Sequence, residues 1–158
     1  MARRIQQYFA ASRVPSADDF ALAEAHLSAS LLALFRAQHP RDIVHCAATT
    51  RWLLGRRHDD PDLIAAALLH DIGKGEQRRR DRVAHVLLGR AGAFVAIEDS
   101  RVALRGALWR SRHHSELAVA LLRAAGASDR VIELSRLHHA NPGEDAMLAV
   151  LQEADAAC

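Results

Sequence analysis

Cysteine and long apolar runs are both scarce in this sequence. Two cysteines, Cys46 and Cys158, cannot form a disulfide framework and suit a reducing cytoplasm. No stretch reaches the length of a transmembrane helix without a charge, and residues 1–14 lack the apolar run of a signal peptide. We therefore expect a soluble cytoplasmic protein that does not associate with a membrane.

A strong excess of one charge sign is lacking as well. The formal net charge is +2 with neutral histidines, and the arginines form no basic stripe of the kind that nucleic-acid-binding proteins carry. DNA binding is therefore not expected. With 158 residues, half of them hydrophobic, the chain fits one domain that can bury a core.

Helical patterns run through most of the chain, whereas the alternation typical of strands does not appear. Ser16 is a candidate N-cap for one helical segment through residue 36, which Pro40 ends, and Asp60 is a candidate cap further on. Glycines end other segments, as at Gly55 and Gly126. The sequence predicts one all-α domain, a bundle of roughly six to eight helices.

Histidine is the abundant residue type, with ten copies, most of them in pairs or beside carboxylates. His70 and Asp71 end an almost wholly apolar helix. Asp155 follows Leu148 by seven residues and Leu151 by four, so it lies on the apolar stripe of the last helix. Burying a carboxylate without a partner costs on the order of several kcal/mol. A metal ion or a protonated imidazole would compensate for that cost.

Further histidines occupy similar positions. His45 lies in a predicted helix without an obviously polar face, His114 precedes a helical segment, and His138 and His139 end another. Neutral imidazole and carboxylate are the ligands of borderline divalent metals such as Fe, Mn, Zn and Co. Four ligands in the order His, His-Asp, Asp make one site. The additional histidines would make a second site, with Asp71 bridging the two.

This ordered series resembles the signature of the HD-domain superfamily of metal-dependent phosphohydrolases. His45, the His70-Asp71 pair and Asp155 correspond to its H…HD…D pattern, and the stretch ALLHDIGKG is similar to the HDIG version of its central motif. The resemblance extends from about residue 41 to residue 157, which would be the metal-binding core. We expect the HD domain to span residues 18–158 and residues 1–17 to be an N-terminal basic arm. It implies a helical bundle with the metals at its centre.

The resemblance also implies a particular ligand set. The added histidines are similar to the extra ligands of two-metal members such as the HD-GYP phosphodiesterases. The implied first site consists of His45, His70, Asp71 and Asp155, and the implied second site of Asp71, His114, His138 and His139. Two choices stay open, because His113 is an alternative to His114 and one residue of the 138–139 pair can suffice.

The only lysine among the 21 Lys and Arg residues is Lys74, three residues after Asp71. In two-metal family members with an HDxxK motif, this lysine reaches substrate or water. The resemblance implies that Lys74 holds a phosphate oxygen or tunes the reacting water, with Arg41 as a second assisting cation.

Two departures from the family pattern restrict the substrate and the metal count. The stretch HHANPGED lacks the longer loop and Gly-Tyr-Pro signature of the cyclic dinucleotide phosphodiesterases, so that substrate is not implied. Arg41 stands where some of those enzymes present a glutamate ligand, which favours two metals over three.

We therefore expect a metal-dependent phosphohydrolase, either a phosphomonoesterase or a phosphodiesterase. It would cleave a phosphoester of a small, nucleotide-like substrate by means of a water activated between divalent metals. Fe or Mn is the preferred metal, with Zn, Co, Ni and Mg as alternatives. The alternative functions are a di-iron oxygenase and a non-catalytic metal-binding regulatory domain, and a homodimer is an alternative to a monomer.

Overall fold

The computed structural model describes residues 14–74 and 116–158 of the chain. Within them the elements are helical and no strand is present. The helices are α1 (Ala17–His26), α2 (Ala29–Arg36), α3 (Pro40–Gly55), α4 (Pro61–Leu69), a short 3-10 helix (Ile72–Lys74), the helical residues 116–124, α5 (Asp129–Leu137) and α6 (Ala146–Ala157). The predicted all-α class is confirmed.

Local capping residues set several helix ends where the sequence predicts them. Ser16 and Asp19 form a reciprocal capping box at the start of α1. Asp60 accepts a hydrogen bond from the Leu63 backbone N–H at 3.1 Å ahead of α4. Gly126 has φ 76° and follows the helical residues 116–124, in the left-handed conformation that a helix C-terminus of this type requires.

The segment predicted as one helix through residue 36 is two helices. Leu27 is extended, with φ −115° and ψ 144°, and it ends α1. The Ser28 hydroxyl then accepts the Leu31 backbone N–H at 3.4 Å and caps α2. A serine in the middle of an apolar helical pattern can start a new helix because its side chain replaces a missing backbone partner.

The central element of the described fold is α4. Residues 63–69 are all buried, and the helix packs against α3, α5 and α6 and also contacts α1 and α2. A helix surrounded in this way is apolar on every face. Consequently, the polar residues that follow it, His70 and Asp71, lie inside the bundle.

Ion pairs fasten the outer helices. Arg51 Nη1 on α3 lies 2.6 Å from Asp19 Oδ1 on α1. Arg130 Nη2 on α5 lies 2.6 Å from Asp145 Oδ1, the residue that caps α6. The first contact joins α3 to α1, and the second joins α5 to the start of α6. In the described part of the chain, no helix has both the length and the apolar character that crossing a membrane requires.

Candidate metal centre

The centre is built on the end of α4. His70 is the C-cap of this helix, and its side chain and that of Asp71 are 1% and 2% exposed. His70 Nδ1 lies 3.0 Å from the Ala67 carbonyl oxygen, which can only accept, so Nδ1 carries the proton. The opposite nitrogen, Nε2, is buried and makes no hydrogen bond with any described residue. A buried, unbonded ring nitrogen is costly unless it has a ligand.

Two carboxylates and a second imidazole surround His70 Nε2. Asp155 Oδ1 of α6 lies 3.6 Å from it and Asp71 Oδ1 lies 3.7 Å from it. His45 Nε2 of α3 lies 2.8 Å from the same Asp155 oxygen. The structure therefore brings together the four residues of the predicted first site, from three different parts of the fold.

His138 lies on the Asp71 side of this group. Its Nδ1 donates to the Ser135 carbonyl oxygen at 2.6 Å, the same kind of support that His70 receives from Ala67. Its Nε2 lies 3.9 Å from Asp71 Oδ1, and its ring centroid lies 5.0 Å from that of His70. A backbone carbonyl on Nδ1 fixes the orientation of an imidazole whose Nε2 serves as a metal ligand.

The other predicted site residues are His139, Arg41, Lys74 and His114. His139 is exposed, and its ring centroid lies 3.9 Å from that of His138. Arg41 is half-buried on α3, one turn before His45. Lys74 ends the 3-10 helix that follows Asp71, and its side chain lies outside the described part of the structure, as do both His113 and His114.

Charges in this cluster depend strongly on one another. Burial opposes protonation of His70, but the Asp71 carboxylate, Cys46 and Asp155 together outweigh burial and raise the pKa of His70 well above its usual 6.5. Burial would raise the pKa of Asp155, but the His45 and His70 side chains hold it below its usual value. Burial, together with the neighbouring His70 and His139, lowers the pKa of His138 to about 3. The cluster therefore combines carboxylate groups with an imidazole that stays neutral.

This donor set fits a divalent cation. Imidazole nitrogens and carboxylate oxygens bind such ions at about 2.0–2.2 Å, which places two ligand atoms of one ion roughly 3–4 Å apart. The separations of 3.6 and 3.7 Å around His70 Nε2 lie in that range. His45, His70 and Asp155 offer ligand atoms that are all within 4.8 Å of one another.

Three polar residues near this centre were not part of the sequence prediction. Gln38 and Cys46 are buried behind His70, and Gln152 donates to the Ala140 carbonyl oxygen at 2.7 Å in the turn after His139. Gln152 could have been found, because it precedes Asp155 by one helical turn. Gln38 carries no comparable signal, because it lies in the connection between two helices.

In a comparison with protein-family models, residues 36–157 match the HD domain. The chain belongs to the HD-domain family. The match confirms the family that the order of the motifs indicated. HD-domain proteins bind divalent metals, and most are metal-dependent phosphohydrolases. A comparison with curated proteins found no match, and neither did a comparison with solved structures.

Proposed function

We propose that this HD domain is a metal-dependent phosphohydrolase that cleaves a phosphoester of a small, nucleotide-like substrate. The observation that carries the proposal is the environment of His70 Nε2. This nitrogen is buried without a hydrogen bond among the described residues, and carboxylate oxygens of Asp71 and Asp155 lie 3.7 and 3.6 Å away. The HD-domain match supports the same chemistry.

His45, His70, Asp71 and Asp155 would hold a first cation. Asp71 and His138 would contribute to a second, together with the predicted ligands His114 and His139. Divalent cations bound at such a centre lower the pKa of a water molecule and neutralise charge on a phosphate group. The two carboxylates offset the positive charge that the cations bring into the interior.

The side chains of the centre also define where a phosphate group can enter. His70, Asp71 and His138 are buried, whereas His45 and Asp155 are 25% and 23% exposed. Among the described residues, those two bound the more exposed side of the centre, and we propose that side as the route from solvent. The buried side excludes bulk water, which strengthens every electrostatic interaction with the substrate.

Lys74 and Arg41 are the proposed phosphate-binding cations. Lys74 ends the 3-10 helix directly after Asp71, and Arg41 is one helical turn before His45. Cations at these two positions in the chain would bind non-bridging phosphate oxygens and orient the ester bond.

The test is turnover by the purified protein with Mn(II) or Fe(II) and a panel of phosphomonoesters and phosphodiesters, with nucleotides and non-nucleotide aryl esters in separate arms. We expect metal-dependent hydrolysis that Asp71→Asn abolishes. Asp62→Asn is the matched control. Asp62 lies in the first turn of α4, at the end opposite to Asp71, and its carboxylate accepts a hydrogen bond from the Ser128 hydroxyl.

Two outcomes would count against the proposal. The first is turnover no greater than that without metal, and the second is equal turnover by wild type and Asp71→Asn. Repeating the assay without oxygen separates hydrolysis from the di-iron oxygenase alternative, because hydrolysis consumes no O2.

A further inference from the structure

Gln38 is a buried polar residue in the connection between α2 and α3. It is 7% exposed, and its Nε2 donates to the Leu68 carbonyl oxygen at 3.0 Å. Leu68 is in the last turn of α4, where carbonyl groups lack a partner within the helix. A carbonyl oxygen only accepts, so the amide NH2 of Gln38 must face Leu68 and its Oε1 must face the other way.

The thiol of Cys46 lies between Gln38 and His70. Its Sγ is 3.8 Å from Gln38 Oε1 and 3.9 Å from His70 Nδ1. Because Oε1 only accepts, the thiol donates to it, and its sulfur lone pairs remain for the His70 Nδ1–H.

Each hydrogen bond in the series Leu68, Gln38, Cys46 and His70 therefore pairs one donor with one acceptor. His70 Nδ1–H is shared between the Ala67 carbonyl oxygen at 3.0 Å and the Cys46 sulfur. A ring held on its Nδ1 side by two acceptors directs Nε2 towards Asp71 and Asp155. The carbonyl that Gln38 holds belongs to the turn immediately before His70, so Gln38 acts on the backbone as well as on the ring.

We propose that Gln38 is a positioning residue of the metal centre, acting on the end of α4 through the Leu68 carbonyl and on the His70 imidazole through the Cys46 thiol. The inference rests on the proposed metal site. Among the described residues, Gln38 makes no direct hydrogen bond with a predicted ligand, and it is not part of the His45, His70-Asp71 and Asp155 series. Loss of such an outer-shell partner typically lowers metal affinity roughly 10- to 100-fold.

The experiment replaces Gln38 by methionine, which keeps a similar volume but neither donates to Leu68 nor accepts from the thiol. We expect the dissociation constant for Mn(II), measured by titration calorimetry, to rise on the order of tenfold or more. A second readout is the ring ¹⁵N chemical shifts of His70 in protein without added metal. These shifts should move in Gln38→Met because the partners of Nδ1 are rearranged.

Asp60→Ala is the matched control. Asp60 caps the opposite end of α4, so its loss destabilises the same helix without touching His70. We expect this variant to melt earlier than wild type but to keep the Mn(II) affinity and the His70 ring shifts. Cys46→Ala should show a smaller effect than Gln38→Met, because the Gln38–Leu68 hydrogen bond survives.

The positioning role is wrong if Gln38→Met keeps both the wild-type affinity and the wild-type ring shifts. It is equally wrong if Asp60→Ala weakens Mn(II) binding as much as Gln38→Met, because the loss would then reflect stability alone. A wild-type protein that binds no Mn(II) would contradict the proposed metal site. In that case the His70 ring shifts alone would decide whether Gln38 orients the imidazole.

Discussion

His70 Nε2 and Asp155 Oδ1 lie 3.6 Å apart, although His70 ends α4 and Asp155 belongs to the last turn of α6. This contact joins the central and final parts of the HD signature. It exists because α6 packs against both α3 and α4, which brings a carboxylate from the end of the chain to the core of the bundle.

Replacing Asp155 by asparagine should disrupt the proposed first site. The amide keeps the shape but loses the charge that faces His45 and His70, so we expect Mn(II) affinity to fall by about 100-fold or more, at or beyond the upper end of the loss expected for Gln38→Met. Titration calorimetry measures this loss. Glu153→Gln is the control, because Glu153 is exposed on the same helix, and an equal loss in both variants would contradict the assignment.

Neighbouring histidines at the end of α5 should differ in their contribution. His138 is buried with Nε2 3.9 Å from Asp71, whereas His139 is exposed. We therefore expect His138→Gln to lose more metal per chain than His139→Gln, as measured by elemental analysis after dialysis. Equal losses would instead support the prediction that both residues are ligands.

Lys74→Ala should separate substrate chemistry from metal binding. If Lys74 stabilises charge on the phosphate group, its loss should lower kcat roughly a hundredfold while the metal content stays at the wild-type value. Lys74→Arg tests the preference for a compact ammonium, because a guanidinium differs in reach and hydrogen-bond geometry. Unchanged kcat in Lys74→Ala would remove this residue from the proposed mechanism.

Asp19 should make a pH-dependent contribution to stability. Burial would raise its pKa, but hydrogen bonds from Ser16 and the Arg51 side chain outweigh burial and hold the pKa below its usual 3.8. A lowered folded-state pKa stabilises the protein above the unfolded-state value and loses its effect as the pH falls through the folded-state value. Asp19→Asn should therefore cost about 1 kcal/mol near pH 7 and progressively less below about pH 4.

Urea unfolding at a series of pH values measures that difference. Asp18→Asn is the control, because Asp18 is exposed in the same turn and should change stability little at any pH. A cost for Asp19→Asn that stays constant down to pH 2 would contradict the ion-pair explanation.

The core around the centre should be sensitive to a cavity. Leu151 is fully buried on α6, one turn before Asp155, so Leu151→Ala should lower the free energy of unfolding by about 2–5 kcal/mol. Leu121→Ala should change it by less than about 0.5 kcal/mol, because Leu121 is 41% exposed. Chemical denaturation of the two variants checks this prediction, and equal costs would contradict the packing.

Much of the fold could be predicted because its signals are local. Capping residues such as Ser16 and Asp60 and the stop at Gly126 act through backbone groups within a few positions, so residue type and spacing reveal them. Ser28 shows the limit. A serine within an apolar pattern fits either the middle of a helix or the cap of a new one, and packing of α2 on its neighbours decides.

The amino-acid sequence by itself determined that the chain is helical and that it carries His45, His70-Asp71 and Asp155 in the order of an HD domain. Those features follow from residue types and their spacing along the chain. Only the tertiary structure decided that Gln38 and Cys46 lie behind His70 and that His138 is buried while His139 is exposed. The reason is directional: neighbouring residues on a helix diverge by about 100°, and the packing of other helices determines which direction is buried.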